Sequence, residues 1–252
     1  MQPPMIEIKH LVKRYGSLLA VNDISFEINR GELFGFLGPN GAGKTTTMKI
    51  LAGLLQPTAG EVRIDGINQQ DAPVETKKRI GYIPDRPFIY EKLTAHEFLL
   101  FMAGLYNIPK HDAKQDAERL LSLFGLSAQT HELVENFSHG MKQRLTMASA
   151  LIHKPRVIIV DEPMVGLDPK GSLLIRKIFR SLCEEEGVTI LLSTHTLSIA
   201  EEVCDRIGII YKGQLIALGT LGELHQQAQQ EDSGLEEIFL ALTEEQEQST
   251  TP

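Results

Sequence analysis

The sequence contains no tryptophan, only two cysteines and no long uninterrupted run of apolar residues. Cys183 and Cys204 lie far apart with no partner at metal-ligand spacing, so we interpret both as reduced packing residues of a cytosolic protein. The longest apolar stretch, near residues 98–106, is about half the length that spans a bilayer. No secretory leader is expected, because residues 1–6 lack a long apolar segment. Any role at a membrane is therefore expected to depend on a partner.

An excess of positive charge is also missing. The formal net charge is -8, so the chain as a whole is not built to coat nucleic acid, although a local basic patch stays open. Hydrophobic residues make up 42% and charged residues 23% of the 252 residues, which is typical of a soluble globular protein with a sizeable core. The length favours one large domain or two small ones.

Apolar patterning predicts strands that alternate with helices. Residues 6–8 and 24–28 alternate apolar with polar side chains, which indicates half-exposed antiparallel strands, and the continuous apolar run 33–37 indicates a buried strand. Further strands are predicted at 61–64, 80–83, 157–160, 188–193, 207–211 and 214–218. Helices are predicted at 45–51, from 169 and from 197. This order implies a mostly parallel α/β sheet.

The middle of the chain, about residues 84–154, changes to helical spacing. Thr94 and Glu97 stand at capping-box spacing, and apolar residues then recur at helical intervals up to a stop at Gly125, so a helical insertion is predicted. In the tail, short helices are predicted at 221–230 and 235–242, and the acidic residues 244–252 are expected to be disordered. For this tail we favour a solvated end over a small contact element.

A glycine-rich segment follows the buried strand and matches the P-loop pattern at every position. Its glycines let the backbone wrap phosphates with N–H groups, and the helix that follows offers its N-terminus to an anion. Lys44 is expected to reach the β- and γ-phosphates of ATP, and the Thr45 hydroxyl to ligate Mg²⁺. The predicted ATP-binding residues of this segment are Gly38, Pro39, Asn40, Gly41, Ala42, Gly43, Lys44, Thr45 and Thr46.

Two carboxylates follow the buried strand at 157–160. Asp161 stands at its carboxyl end, where α/β folds bind ligands, and a carboxylate there can hold Mg²⁺ directly or through water. Glu162 can then orient and partly deprotonate the attacking water. A strand that ends in Asp-Glu is by itself commonly a solvated terminus, but beside a P-loop the catalytic interpretation is the stronger one.

Three further segments resemble motifs of the ABC ATPase family, in the order that the family requires. Residues 137–144 (FSHGMKQR) resemble the signature sequence, usually Leu-Ser-Gly-Gly-Gln; residues 165–168 (VGLD) resemble the D-loop; and His195 after a strand resembles the switch histidine. Tyr15 matches the aromatic residue that stacks on adenine. The resemblance covers about residues 6–218, and the ordered set of motifs is very specific.

The resemblance implies an α/β fold of the P-loop NTPase class. It has a mostly parallel core sheet, an N-terminal antiparallel β subdomain and a helical insertion that carries the signature motif. On this basis the nucleotide-binding domain spans residues 1–220, with its helical subdomain at about 84–154, and residues 221–252 form a short C-terminal part.

The resemblance also implies that two such domains, identical or paralogous, pair head to tail. Each ATP would lie between the P-loop of one and the signature of the other, with Ser138 and Gly140 near the γ-phosphate and Ser138 capping its helix. Glu162 would act as general base, His195 would contact the γ-phosphate and Asp168 would couple the two sites. ATP would close the dimer, and hydrolysis would reopen it.

Three positions depart from the family pattern. Asp85 stands where the Q-loop usually has glutamine; it is shorter by one CH₂ and charged, and we expect it to keep a role at the metal. His139 replaces a glycine of the signature, and we favour an outward-pointing side chain without a role over one that titrates near neutral pH. Met141 replaces the signature glutamine, which puts any ribose contact at that position in doubt.

We favour the ATP-hydrolysing subunit of an ABC transporter, cytoplasmic and peripheral on the inner face of the cell membrane. Its expected partners are an integral membrane permease and a second nucleotide-binding domain. Residues 86–91 support the permease contact, since they carry exposed aromatic and apolar side chains beside Asp85. The short tail around residues 235–240 resembles ATPases of bacterial ABC-2 type exporters, and it leaves no room for the longer regulatory domain common in importers, so export is favoured.

Two alternatives are less favoured. A soluble ABC ATPase acting on ribosomes or DNA usually has two nucleotide domains with a basic linker, or a long coiled coil. Neither is seen in this acidic sequence, so no nucleic-acid partner is expected. A nucleotide-binding regulator without turnover is disfavoured because Glu162 and His195 are both present.

Overall fold

The computed structural model describes residues 3–86, 88–164, 166–228 and 234–249. The strands are β1 (Ile6–Tyr15), β2 (Leu18–Ile28), β3 (Leu33–Leu37), β4 (Ala59–Ile64), β5 (Ile67–Asn68), β6 (Ile80–Ile83), β7 (Val157–Asp161), β8 (Thr189–Thr194), β9 (Arg206–Tyr211) and β10 (Gln214–Gly219). The helices are α1 (Lys44–Leu51), α2 (Pro73–Lys77), α3 (Ala95–Leu105), α4 (Lys110–Leu123), α5 (His139–Leu151), α6 (Pro169–Glu186), α7 (Leu197–Val203), α8 (Leu221–Gln227) and α9 (Leu235–Ser249). Short 3₁₀ turns occupy Ser127–Gln129 and Val134–Asn136.

The strands form two sheets. The first is antiparallel, with the order β2-β1-β4-β5, and the second has the order β10-β9-β3-β8-β7-β6. In the second sheet β6, β7, β8, β3 and β9 run parallel, and only β10 pairs antiparallel with its neighbour β9. The predicted mostly parallel core sheet and the predicted N-terminal antiparallel sheet are therefore both confirmed.

The parallel strands are buried on both faces, which explains their continuous apolar runs. Alternate residues of β7 belong to different hydrophobic clusters: Val157 and Ile159 pack with the antiparallel sheet, whereas Ile158 and Val160 pack with the helices inserted between β6 and β7. The carboxyl ends of these strands meet at one edge of the sheet, and this edge carries the P-loop, Asp85, Asp161 and His195.

The segment between β6 and β7 is helical, as predicted. Thr94 and Glu97 form the reciprocal capping box at the start of α3, and Gly125 after α4 has a positive φ of 65°. Helix α5 packs directly on the sheet, because a Cβ on Gly81 of β6 would lie 2.6 Å from the carbonyl oxygen of Ala150. The inserted helices are thus in direct contact with the strand that leads to Asp85.

The tail corrects two expectations. Leu235, Ile238 and Leu242 are buried in a cluster with residues of α7 and β9, so residues 235–242 are not a solvated end. Helix α9 continues to Ser249, so the expected disorder of 244–252 is wrong as far as residue 249; residues 250–252 lie outside the described part. The buried side chains recur at i, i+3 and i+7, the stripe of an amphipathic helix. Helix α8 ends at Gln227, and residues 229–230 of the predicted helix also lie outside the described part.

Helix α2 was not predicted, since five residues are too short for a helical period to be visible. Among the described residues, no helix combines the length and the apolar character needed to cross a membrane.

Candidate functional site

The P-loop joins β3 to α1 and lies against the backbone of two neighbouring strands. A Cβ on Gly38 would stand 2.3 Å from the carbonyl oxygen of Ile210, and one on Gly43 would stand 2.5 Å from that of Ala20. Gly43 also has a φ of 111°, and Gly41 has a φ of 80°. Gly38 and Gly43 are therefore required by close backbone approach, and Gly41 and Gly43 by backbone conformation.

The side chain of Lys44 is hydrogen-bonded to the backbone of the P-loop. Its Nζ atom donates hydrogen bonds to the carbonyl oxygens of Gly38 at 2.6 Å and Pro39 at 3.1 Å, and the residue is only 6% exposed. Burial lowers the pKa of the Lys44 ammonium, while the charges of Glu162 and Asp161 act in the opposite direction. A buried ammonium is thus held at the mouth of the loop, on the side of the two carboxylates.

A cleft of about 560 Å³ opens beside the loop, and we call it the P-loop cleft. Residues 39–41 and 43–46 line it, so most of the predicted loop residues face one space. Tyr15, Asp85, Asp161 and Glu162 line the same cleft, although they come from three distant parts of the sequence. The structure therefore brings the predicted base-stacking, metal and catalytic residues to one place.

Four of the predicted ATP-binding residues do not line the cleft. Gly38 and Ala42 are buried beneath it, where the amide of Ala42 donates to the carbonyl oxygen of Pro39. Ser138 and Gly140, at the start of α5, also lie outside the lining. The signature and the P-loop of one chain thus form two separate surfaces.

Asp161 is held in place by β8. The Ser193 hydroxyl donates to Oδ1 of Asp161 at 2.6 Å, and the two residues are 0% and 2% exposed. The next residue, Glu162, has a φ of 52°, and its backbone amide donates to the carbonyl oxygen of Ser193. A non-glycine residue in the left-handed region stores strain, and such residues cluster at functional sites.

His195 lies beside Glu162 rather than in the lining of the cleft. Its Nδ1 atom is 2.8 Å from Oε1 of Glu162, and its backbone amide donates to the other carboxylate oxygen at 3.4 Å. The histidine side chain is 56% exposed, whereas that of Glu162 is 16% exposed. The end of β8 therefore fixes the orientation of the Glu162 carboxylate.

Asp85 and Asp161 converge at the ends of the neighbouring strands β6 and β7. Both carboxylates act on Tyr82: burial first, and then the charges of Asp161 and Asp85, raise the pKa of its phenol to about 12. Two carboxylates near one phenol indicate a negative side of the cleft, where a cation is favoured.

The signature residues Ser138, His139 and Gly140 lie at the start of α5, against the loop before α6. Ser138 caps α5, accepting a hydrogen bond from the amide of Met141 at 3.3 Å, as predicted. His139 is exposed, as the outward-pointing interpretation expects, and its ring packs against Gly166, where a Cβ would lie 2.3 Å from it. Asp168 caps α6 through the amide of Gly171, and Val165 of the predicted D-loop lies outside the described residues.

Several residues that line or support the site were not predicted from the sequence. Leu18 and Leu19, at the start of β2, line the cleft beside Tyr15, and Lys212 and Gly213 line it from the turn between β9 and β10. The Lys-Gly dipeptide was visible as a turn, but nothing local indicated which end of the sheet it would reach. Ser193 adjoins the predicted switch motif, and its bond to Asp161 depends on the pairing of β7 with β8.

Comparisons with known proteins agree with this geometry. The family profile described as ABC transporter matches residues 21–165. The linearmycin resistance ATP-binding protein LnrL of Bacillus subtilis is 39% identical over 220 residues, which cover 87% of this chain and 70% of that protein. The bacitracin transport ATP-binding protein BcrA of Bacillus licheniformis is 43% identical over 212 residues, which cover 84% and 68%.

Solved structures show the same fold. The ATP binding subunit of an ABC transporter superposes with a TM-score of 0.88 at 34% identity, covering 95% of this chain and 99% of that one. A dimeric ATP-binding cassette in a post-hydrolysis state, bound to ADP and phosphate, superposes with a TM-score of 0.79 at 27% identity, covering 86% and 99%. The chain therefore belongs to the ABC transporter family and is its ATP-binding, ATP-hydrolysing subunit.

Proposed function

We propose that the P-loop cleft holds ATP with its phosphates on residues 38–46 and its adenine against Tyr15. The observation that carries this assignment is the convergence of the loop, Lys44, Asp161 and Glu162 on one cleft. Lys44 would exchange its carbonyl partners for β- and γ-phosphate oxygens, a stronger pairing for an ammonium. Tyr15 is 45% exposed, which leaves its ring free to stack on a base.

The negative side of the cleft fits Mg²⁺. Thr45, Asp85 and Asp161 supply one hydroxyl and two carboxylates, and within the described ranges no group of three or more His, Cys, Asp or Glu side chains converges as a self-contained metal site. This donor set suits Mg²⁺ held jointly by protein and nucleotide phosphates. When bound, Mg²⁺ would neutralise phosphate charge. If Asp85→Ala leaves the Mg²⁺ dependence of hydrolysis unchanged, Asp85 has no role at the metal.

Glu162 is proposed as the general base and His195 as the residue that orients it. A carboxylate fixed by His195 and by a strained backbone can accept a proton from water attacking the γ-phosphate. The proton passes to a Glu162 oxygen as the new P–O bond forms and the bond to ADP breaks. His195 is half-exposed beside Glu162, so it is free to contact the γ-phosphate as well.

The site is proposed to be completed by a second copy or a paralogue. Ser138 is exposed and Gly140 is only partly buried at the N-terminus of the 13-residue helix α5, outside the cleft of their own chain. A helix N-terminus stabilises an approaching phosphate. The dimeric cassette bound to ADP and phosphate supports this arrangement. Asp168, exposed at the start of α6, is proposed to couple the two sites.

A cytoplasmic location at the inner face of the membrane is proposed, through an integral membrane permease. Phe88 and Tyr90 are 83% and 60% exposed, and the Tyr90 ring packs edge-on against Phe101, which is itself exposed. Exposed aromatic clusters of this kind mark protein contacts. The names of the relatives, linearmycin resistance and bacitracin transport, support export. No observation favours a ribosomal or DNA partner.

Phosphate release from ATP tests the assignment of the site. Glu162→Gln is expected to slow hydrolysis by about 100-fold or more while ATP still binds. Lys44→Ala is expected to weaken ATP binding itself. Glu185→Gln, on the exposed side of α6, is the matched control and keeps the wild-type rate. Hydrolysis by Glu162→Gln at the wild-type rate would remove the proposed general base.

A further inference from the structure

The turn between β9 and β10 contains a residue that local preference disfavours. Tyr211 pairs with Gln214, so Lys212 and Gly213 form a two-residue hairpin turn, and their φ values are 47° and 81°. Turns with two positive φ values favour Asn-Gly or Asp-Gly, because Asn and Asp tolerate the left-handed region. A lysine gains nothing locally from this conformation. A residue whose type is unfavourable for its backbone conformation points to a function.

This turn is fixed to the walls of the P-loop cleft. The amide of Gly213 donates to the carbonyl oxygen of Ala42 at 2.9 Å, and its own carbonyl oxygen accepts from the amide of Asn22 at 2.8 Å. A Cβ on Gly213 would lie 3.1 Å from the carbonyl oxygen of Ala20. The backbone beside Lys212 is therefore held by both the P-loop and β2, and the exposed Lys212 lines the cleft.

Sheet order places Lys212 away from the carboxylates of the cleft. Strand β3, which leads into the P-loop, lies between β9 on one side and β8, β7 and β6 on the other. Asp85 follows β6 and Asp161 ends β7, whereas Lys212 follows β9 on the side of Tyr15 and Leu18. The Nζ atom of Lys212 lies 4.9 Å from the centroid of the Tyr211 ring, a cation–π contact that an anion can displace.

We propose that Lys212 binds the α-phosphate of the nucleotide, an inference that rests on the proposed function of the P-loop cleft. Lys44 and the metal-binding side serve the β- and γ-phosphates, and Tyr15 with Leu18 offers an apolar platform for the base. The α-phosphate lies between these two parts of a nucleotide. An ammonium is a compact point charge that suits a phosphate oxygen. Lys212 is thus a second cation for the nucleotide, supplied by a turn outside every recognised motif.

The test measures the dissociation constant for ADP with the intact chain. Lys212→Asn places a turn-favouring residue at the same position, so its Tm is expected to equal or exceed that of the wild type. Its Kd for ADP is expected to rise about tenfold, the effect of one charge-assisted hydrogen bond. Lys212→Arg keeps the charge and is expected to stay within about twofold. The difference in Kd for ADP between wild type and Lys212→Asn should become smaller in high salt.

Three outcomes would overturn the proposal. The first is an unchanged Kd for ADP in Lys212→Asn, and the second is an equal loss of ADP affinity in Lys212→Asn and Lys212→Arg. The third is a difference in Kd between wild type and Lys212→Asn that high salt does not reduce. Lys44→Ala separates this inference from the assignment of the cleft. If Lys44→Ala binds ADP as tightly as the wild type, the cleft is not the nucleotide site. If Lys44→Ala weakens binding and Lys212→Asn does not, only the role of Lys212 fails.

Discussion

The Nδ1 atom of His195 lies 2.8 Å from Oε1 of Glu162, and this contact joins the ends of β8 and β7. His195 does not line the P-loop cleft, whereas Glu162 does. His195 can therefore affect the proposed general base, Glu162, without contributing to the walls of the proposed nucleotide cleft.

This separation predicts a selective defect in His195→Ala. Hydrolysis is expected to fall by about 100-fold, in the range for a group that assists proton transfer. The Kd for ADP is expected to change by less than about twofold, because the lining of the cleft is untouched. Steady-state kcat and ADP titration measure the two effects. A parallel loss of ADP affinity would show that His195 holds the nucleotide instead.

The glycines of the P-loop differ in what they tolerate. Gly43→Ala adds a Cβ 2.5 Å from the carbonyl oxygen of Ala20, whereas Gly41→Ala meets open space and only the penalty of a positive φ. Gly41→Ala is therefore expected to cost about 1–2 kcal/mol of unfolding free energy. Gly43→Ala is expected to cost about 1–3 kcal/mol more, because the surrounding backbone must shift. Urea unfolding of the two variants measures the difference, and equal midpoints would contradict it.

Asp65 is the centre of an ion-pair cluster distant from the cleft. Its carboxylate contacts Arg30 at 2.6 Å, Arg156 at 2.7 Å and Arg79 at 3.3 Å. Burial opposes ionisation, but the hydrogen bonds and charges of Arg30 and Arg156 outweigh it and lower the pKa of Asp65. Asp65→Asn is expected to lower the free energy of unfolding by about 2 kcal/mol at neutral pH.

The pH dependence of this difference has a definite sign. Because the pKa of Asp65 is lower in the folded chain, its contribution is present above the ordinary aspartate value of 3.8 and is lost as the pH falls below it. The unfolding free energies of wild type and Asp65→Asn should therefore differ at pH 7, and this difference should shrink progressively as the pH falls below about 4. If the difference in unfolding free energy stays unchanged at low pH, the substitution acts through packing and not through the charge of Asp65.

Helix α9 offers a matched pair of positions. Ile238 is fully buried against the cluster that includes α7, whereas Leu240 on the same helix is 52% exposed. Ile238→Ala is expected to lower the free energy of unfolding by about 2–4 kcal/mol, and Leu240→Ala by less than about 0.5 kcal/mol. Thermal unfolding compares the two. If both variants melt like the wild type, α9 does not belong to the cooperative fold.

Most of the core could be predicted from local patterns. The run at 33–37, the glycines that follow and the strand ending at Asp161 each carry their own signal, because burial on both faces and phosphate-type loops constrain consecutive residues. The capping box at Thr94 was equally local. These features need no knowledge of which strand lies beside which.

The rest depends on strand order and tertiary contacts. Ser193 reaches Asp161 only because β8 pairs with β7, and Lys212 reaches the cleft only because β9 pairs with β3. The tail was misjudged for the same reason: Leu235 and Ile238 are buried by α7 and β9, which are distant in sequence. The contact of His139 with Gly166 likewise depends on where the loop before α6 lies.

The central claim is that the P-loop cleft is half of a site, which Ser138 of a second copy completes. The direct test is the molar mass, by light scattering, of Glu162→Gln chains with ATP, carrying either Ser138→Asp or Ser138→Asn. Both substitutions keep a good helix cap, but only aspartate places a negative charge facing the γ-phosphate. We predict an ATP-dependent dimer with Ser138→Asn and a monomer with Ser138→Asp. An ATP-dependent dimer in both, or in neither, would contradict the account.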